Sequence, residues 1–531
     1  MNSDLTRINP PCPLLAPFGE LFLWEKIGYD CKMLPLADMM FLSFINNNED
    51  SMWRPVLMIN GFIMLVLGTM MMVPAGCFYY ADGILDYKFF QSGLIAIFFG
   101  GALFLANYGK IQNISILQGY LITISSWFMT PLICALPFWG NGSIVTFYDA
   151  VFEATAGITT TGATILQDVE TQSKSVLLWR AMLNGLGGIG IVIFAVALSP
   201  FLGTGGMHLF SNENSDTEEK FLPKIRYIAN DIILVYVLLN ICCAFLLKIS
   251  GMNWFDAVTW ALATISTGGF SIKNNSIAFY DSETIEAVIA LFMLLGALPI
   301  TYFILALKKR SFASIFGNAQ VNAFLKIIAL YICCFSLFYA YQNDISILQA
   351  IRIIGFNMIA AITTAGIYSS DYTMWGTWTA VVFLILFLHG GCTGSTTGSI
   401  KIFRWQVIAA FLKKHITKAL SPNQVTIMKT GDKVIDDNIV SSVFALVLAF
   451  LFGILFFTLV LSLTGLDFMT SLGAVVANIT GVGTGLSSEI GPRGNFAFLS
   501  PAVKYILSFV MVLGRLEVIT VFVLLGKIKI R

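Results

Sequence analysis

Apolar residues run almost unbroken for about 20 positions at a time, the length needed to cross a hydrocarbon core of about 30 Å. Such stretches fall at 55–77, 88–106, 117–138, 176–200, 228–250, 283–307, 321–341, 376–412, 438–464 and 499–526. Between them lie shorter apolar segments near 147–157, 254–263, 347–362 and 468–479, each followed by Thr, Ser and Gly. Too short to cross, they predict re-entrant elements that enter the membrane and leave by the same face. The pattern as a whole predicts an all-α polytopic membrane protein of about ten transmembrane helices. A transmembrane barrel is excluded, because barrel strands alternate apolar and polar side chains.

One unit recurs four times: crossing, short helix, Thr/Ser-Gly turn, second crossing. The first short helix opens on Phe147-Tyr148-Asp149-Ala150 and its turn is Thr159-Thr160-Thr161-Gly162-Ala163-Thr164; the second runs from Trp254-Phe255-Asp256-Ala257 to Ile265-Ser266-Thr267-Gly268-Gly269-Phe270. The third leads from Ile347-Leu348-Gln349-Ala350 to Thr363-Thr364-Ala365-Gly366-Ile367-Tyr368, the fourth from Leu466-Asp467-Phe468 to Thr480-Gly481-Val482-Gly483-Thr484-Gly485. Taken as the key glycines, Gly162, Gly268, Gly366 and Gly483 are 106, 98 and 117 residues apart. The chain then divides into an N-terminal cytoplasmic segment (1–53), an extra transmembrane pair (54–116) and pore repeats at 117–226, 227–320, 321–433 and 434–531. Four parallel copies can close around a pseudo-fourfold central pore.

Irregular backbone at membrane depth is tolerated only where it is buried or lines a water-filled path. Four such loops on one axis would aim carbonyl oxygens inward, and rings of carbonyls replace the hydration shell of an alkali cation. Glycine gives each loop access to positive φ, and each short helix would turn the negative end of its dipole towards the ion. The expected filter is Thr160, Thr161, Gly162 and Ala163; Ser266, Thr267, Gly268 and Gly269; Thr364, Ala365, Gly366 and Ile367; Gly481, Val482, Gly483 and Thr484. A Thr-Gly pair alone is an ordinary helix C-cap. Four at matched places argue for a filter.

Composition agrees: 57% of the 531 residues are hydrophobic and 11% charged, against about a quarter charged in a soluble protein. With a net charge of +1 and dispersed Lys and Arg, nucleic acid is not an expected partner; the lipid bilayer is. With the N-terminus inside, 22 basic residues fall on cytoplasmic loops and 8 on the opposite side, so both termini are expected in the cytoplasm and the re-entrant segments on the outer face. The N-terminal region lacks the pattern of a cleaved signal peptide. Nine cysteines and the histidines His208, His389 and His415 fit no disulfide, zinc or catalytic spacing, so no enzyme chemistry and no cofactor is expected. Asp149, Asp256 and Asp467 read as caps of the short helices. Gly185-Leu186-Gly187-Gly188-Ile189-Gly190 satisfies GxGxxG but follows no strand, and is read as close helix packing. Arg515 stands in the apolar run from Phe509 to Leu525, where a bare charge costs at least about 2.5–3.5 kcal/mol. It is expected to face a cavity, the bland alternative being an ion pair with Asp231 or Glu517.

Several of these residues resemble a known family. The first loop after Phe152-Glu153, the run Arg180-Ala181-Met182-Leu183 with Gly187-Gly188-Ile189-Gly190, then Gly390-Gly391-Cys392, Gly394-Ser395-Thr396, Lys401 and Gly514-Arg515-Leu516-Glu517-Val518 are similar to the Trk/Ktr/HKT potassium transporter superfamily, above all to its bacterial TrkH-type uptake subunits. The resemblance covers the chain from about residue 117 onwards.

It implies potassium as the transported ion at the filter carbonyls, because within that family an all-glycine set accompanies potassium. It also implies a homodimer in the bacterial inner membrane with a pore in each subunit and a cytoplasmic nucleotide-binding regulatory subunit (TrkA-like) beneath. The stretch from Gly390 to Ser399 would be an intramembrane gate loop, with Gly391, Cys392, Gly394, Ser395, Thr396, Gly398 and Lys401 in it or beside it and Arg515 facing it. The fourth loop departs from the family's usual Asn-Asn-Leu-Gly-Pro-Gly, and Thr393, Thr397 and Ser399 replace alanine and glycines in the gate loop. The alternatives in function are K+/Na+ or K+/H+ symport and a less selective Na+/K+ channel.

Overall fold

Each short apolar segment becomes a helix because a side chain just ahead of it holds one of the first free N–H groups. Thr146 accepts from the N–H of Asp149, Asn253 from that of Asp256, Ser346 from that of Gln349 and Asp467 from that of Thr470. The expectation that Asp149 and Asp256 are caps is thereby corrected: both lie one turn inside, and only Asp467 caps. Asp149 binds the Lys504 ammonium at 2.7 Å, and Asp256 accepts the Tyr280 hydroxyl at 2.6 Å.

The computed structural model describes residues 50–82, 86–109, 116–142, 144–202, 221–311, 316–424, 427–431 and 433–517. An N-terminal pair, α1 (Asp50–Asp82) and α2 (Tyr87–Ala106), precedes the first repeat, α3 (Ile116–Cys134), α4 (Phe147–Ile158) and α5 (Lys174–Leu202). The second repeat is α6 (Phe221–Ile249), α7 (Trp254–Ile265), α8 (Glu283–Ala297) and α9 (Ile300–Lys309). The third is α10 (Ala319–Asn343), α11 (Ile347–Ile362), α12 (Trp378–His389) and α13 (Ile402–Leu420), and the fourth α14 (Asp437–Ser462), α15 (Phe468–Thr480) and α16 (Pro501–Arg515). Helices and their order match the all-α polytopic expectation. Five stretches, Met52–Cys77, Tyr87–Ala106, Ala229–Ile249, Ala319–Asn343 and Asp437–Ser462, are each long and apolar enough to cross alone.

Two expected crossings are interrupted. The one over 283–307 bends by 91° between α8 and α9, because Pro299 has no N–H to continue the helix and holds Leu298 extended. The N–H of Ile300 donates instead to the Gly394 carbonyl at 3.1 Å. The crossing over 376–412 is opened between α12 and α13, where the resemblance puts the gate loop. Of the last crossing, residues beyond Glu517 lie outside the described ones, as do residues 1–49 and 203–220.

The repeats pack as a closed ring. The second crossing of each repeat lies on the short helix of the next: α5 on α7, α8 on α11, α12 on α15, and α16 back on α4. Outside the ring, α1 and α2 meet at two facing glycine pairs, where a β-carbon on Gly61 would stand 2.9 Å from the Gly100 carbonyl and one on Gly68 2.8 Å from that of Gly93. That is the close backbone approach small residues allow between membrane helices.

Candidate functional site

At the inner end of each short helix the chain turns in one repeated way. Thr160, Thr267, Thr364 and Gly481 take φ of 54°, 52°, 55° and 77°, and two residues later Gly162, Gly269, Gly366 and Gly483 take 77°, 72°, 62° and 80°. The N–H groups of Thr161 and Gly162 both turn back to the Ala156 carbonyl; those of Gly268 and Gly269 go to Ala263, of Ala365 and Gly366 to Ala360, and of Val482 and Gly483 to Ala477. With the donors so employed, no N–H or hydroxyl among the described residues donates to the carbonyls of Thr161, Gly162, Gly268, Gly269, Ala365, Gly366, Val482 or Gly483. A left-handed β-branched residue costs on the order of 1–3 kcal/mol. Three of the four loops carry such a threonine, fully buried.

This geometry corrects the register of the second repeat. Gly269, not Gly268, matches Gly162, Gly366 and Gly483; Gly268 stands where the others have Thr161, Ala365 and Val482. The four glycines interlock. A β-carbon on Gly162 would strike the Gly268 carbonyl, on Gly269 that of Ala365, on Gly366 that of Val482, and on Gly483 that of Thr161. Each loop thus touches the next and the fourth touches the first. A cavity of about 90 Å³ reaches all four glycines from the side on which the short helices begin.

The backs of the loops are braced asymmetrically. Glu153, fully buried in α4, binds the Arg180 guanidinium at 2.7 Å and accepts from the Thr164 hydroxyl and the Ile165 N–H. Arg180 also donates to the Ser271 carbonyl at 2.7 Å, tying the first loop to the second, and lies over the Phe270 ring at 4.1 Å. The sequence signal for this pair was a carboxylate and an arginine 27 residues apart, each inside an apolar run. Three glycines of α5 serve close packing, as the sequence suggests: Gly185 packs on Leu262, Gly187 backs directly onto the Ile158 carbonyl, and a β-carbon on Gly188 would lie 2.7 Å from that of Ser266, whereas Gly190 faces open space. In the flanking loops, the side-chain amide of Asn274 holds the Asp168 carboxyl below the usual carboxylate range.

Beneath the loops lies the segment between α12 and α13. Thr396 donates to the carbonyls of Ile265 and Gly296 at 3.0 and 3.1 Å, its N–H and that of Cys392 reach the carbonyls of Gly296 and Ala297, and the Gly398 N–H donates to the Thr364 hydroxyl at 3.0 Å. Ser395 bonds the Cys392 carbonyl and Thr397, and Thr393 takes its acceptor from Gln320 on α10. The Gly391 carbonyl accepts from Ile402, and Gly398 backs onto the Thr480 carbonyl. The segment is therefore pinned to the second, third and fourth loops. Lys401, in a left-handed conformation at φ 70°, and Arg515 are both buried nearby. Arg404 pairs with Glu517 at 2.6 Å, while no hydrogen bond among the described residues joins Arg515 to the segment.

The family model for TrkH, described as a cation transport protein, matches residues 86–529. The chain is 33% identical over 474 residues to the Trk system potassium uptake protein TrkI of Halomonas elongata, covering 89% of this chain and 96% of that one. To the TrkH of Escherichia coli K12 it is 31% identical over 477 residues, covering 89% and 98%. The crystal structure of the potassium transporter TrkH from Vibrio parahaemolyticus superposes with a TM-score of 0.81 at 26% identity, covering 89% of this chain and 98% of that one. The likeness thus includes α2, which sequence motifs alone did not reach.

Proposed function

The chain belongs to the TrkH family of cation transport proteins, and on that premise we propose that it takes up potassium through the ring of four loops. It is a transport protein, not an enzyme. The observation that carries the reading is the closed interlock of Gly162, Gly269, Gly366 and Gly483, with eight carbonyls around them that accept no hydrogen bond from the described residues. Carbonyl oxygens left without a protein donor are free to take the place of the water around a dehydrated alkali cation. That relatives at 31–33% identity are named potassium uptake proteins supports potassium as that ion.

The filter is Thr160 to Ala163, Ser266 to Gly269, Thr364 to Ile367 and Gly481 to Thr484, and the segment from Gly390 to Ser399 is its gate. Membrane potential drives entry: one charge falling through 100 mV releases about 2.3 kcal/mol, enough for roughly fiftyfold accumulation. The buried carboxylates offer little to a proton route, since Glu153, Asp256 and Glu286 are bound to Arg180, Tyr280 and Arg352. The working form is a homodimer in the plasma membrane with a cytoplasmic nucleotide-binding subunit below the gate.

Uptake into proteoliposomes under an inside-negative potential, with potassium, rubidium, sodium and lithium in turn, tests the reading. Potassium and rubidium should enter with no sodium or proton gradient. Flux that waits on either gradient would make the protein a symporter, and equal sodium flux would make the ring unselective.

A further inference from the structure

We propose that Arg493 sets which cations approach the filter, repelling divalent ions from the mouth far more strongly than monovalent ones. The inference rests on the potassium-conducting reading above. The cavity that reaches the four glycines is lined by three charged side chains, Arg180, Lys273 and Arg493, and by no carboxylate. For a cation pathway that is the wrong sign. Two of the three charges are answered: Arg180 by Glu153 at 2.7 Å, Lys273 by Glu170 at 3.8 Å. Arg493 is exposed and has no hydrogen bond or ion pair among the described residues. The carboxylates on neighbouring loops are engaged elsewhere, Asp168 with Asn274 and Asp371 with Thr373, and the exposed Glu489 on the same loop makes no ion pair with Arg493 among the described residues.

The backbone that carries the charge is anchored. The loop that carries it is closed by the Gly485 N–H on the Ile490 carbonyl at 2.6 Å and the Asn495 N–H on that of Glu489 at 3.1 Å. It is fastened to the first repeat by the Phe496 N–H on the Thr164 carbonyl at 2.9 Å and to the third by the Tyr372 hydroxyl on the Gly485 carbonyl at 2.8 Å. A fixed positive potential at the mouth divides the local concentration of an ion by a Boltzmann factor in its charge. The factor for a divalent ion is therefore the square of that for a monovalent one, whatever the distance. Potassium, with half the charge of barium or calcium, meets half the electrostatic barrier, so the ring is protected from divalent block at small expense to potassium.

The test uses the full chain in proteoliposomes, comparing wild type with Arg493→Lys, Arg493→Gln and Arg493→Glu for potassium half-saturation and for block by external barium. If Arg493→Gln lowers half-saturation about threefold, the barium blocking constant should fall about ninefold, with Arg493→Glu further along the same line and Arg493→Lys unchanged. The differences should collapse in about 1 M impermeant salt, where screening acts within about 3 Å. Equal shifts for both ions, or none, overturn the proposal while leaving potassium conduction intact. Absence of potassium flux in the wild type would overturn that reading and the proposal with it.

Discussion

The backbone N–H of Gly398 donates to the Thr364 hydroxyl at 3.0 Å, so the segment beneath the ring is held by a residue that is itself part of the ring. Thr364 keeps a left-handed backbone two positions before Gly366, and displacing the segment must break this bond. Thr364→Val keeps the shape and removes the acceptor. A buried N–H left without a partner costs about 1–3 kcal/mol, biasing the segment away from its place beneath the ring by roughly five- to 150-fold. Rubidium uptake should rise with the potassium-to-sodium ratio unchanged, and Thr364→Ser should behave as wild type. Lower uptake in Thr364→Val would remove the gate role.

The register of the second loop predicts unequal costs for adjacent glycines. At Gly269, with φ 72°, a β-carbon would collide with the Ala365 carbonyl, which belongs to the backbone of the next loop. At Gly268, which has no positive φ, it would meet the side-chain amide of Asn184 at 2.5 Å rather than the backbone of a neighbouring loop. Gly269→Ala should therefore cost on the order of 1–3 kcal/mol in the ring and reduce flux or selectivity at least about tenfold, with Gly268→Ala within about threefold of wild type. Ion-competition uptake on the two variants decides it, and the reverse order would return the key position to Gly268.

Glu153 and Arg180 form a buried pair at 2.7 Å, and such a pair is costly to break from one side. Glu153→Gln leaves the guanidinium without its counter-charge and should destabilise by about 3–5 kcal/mol. Replacing both, Glu153→Gln with Arg180→Met, should cost less than the two single changes added together. Thermal unfolding in detergent gives the comparison. Additive losses would mean that the pair is not the brace the distances describe.

What the sequence disclosed and what it withheld follow from the range of the forces involved. Hydropathy over a window finds a helix, so the four short segments were legible, whereas the break at Gly390 lay inside the apolar run 376–412 and came only from the family resemblance. A single bond does not register in a window. The 91° bend at Pro299 was hidden inside 283–307, although proline was its own signal. Asp149 and Asp256 looked like caps because they begin apolar runs, yet Thr146 and Asn253, three residues earlier, hold the N–H groups. In Ser266-Thr267-Gly268-Gly269 either glycine could take positive φ, and contact with the third repeat chooses Gly269. The Glu153–Arg180 bond joins two helices and depends on their packing.

Arg515 gives a prediction of unusual sign. It is 7% exposed, and its Nε and Nη2 find no acceptor among the described residues. The two carboxylates that sequence offered as partners are taken, Glu517 by Arg404 at 2.6 Å and Asp231 by Lys308 at 2.5 Å. Its neighbour Gly514 backs onto the Ile479 carbonyl at the end of α15, which places this point of the chain beside the end of the fourth short helix. An unsatisfied buried charge costs about 1–3 kcal/mol or more, and a protein keeps one only where the charge acts on something. Arg515→Met should accordingly raise the unfolding temperature in detergent, although most buried arginines lower it when lost, and, on the proposed reading of Arg515 as part of the gate, should raise rubidium flux. Arg515→Lys should keep both properties near wild type. A less stable Arg515→Met would mean that the guanidinium is neutralised by a group outside the described residues, and its role would then be structural.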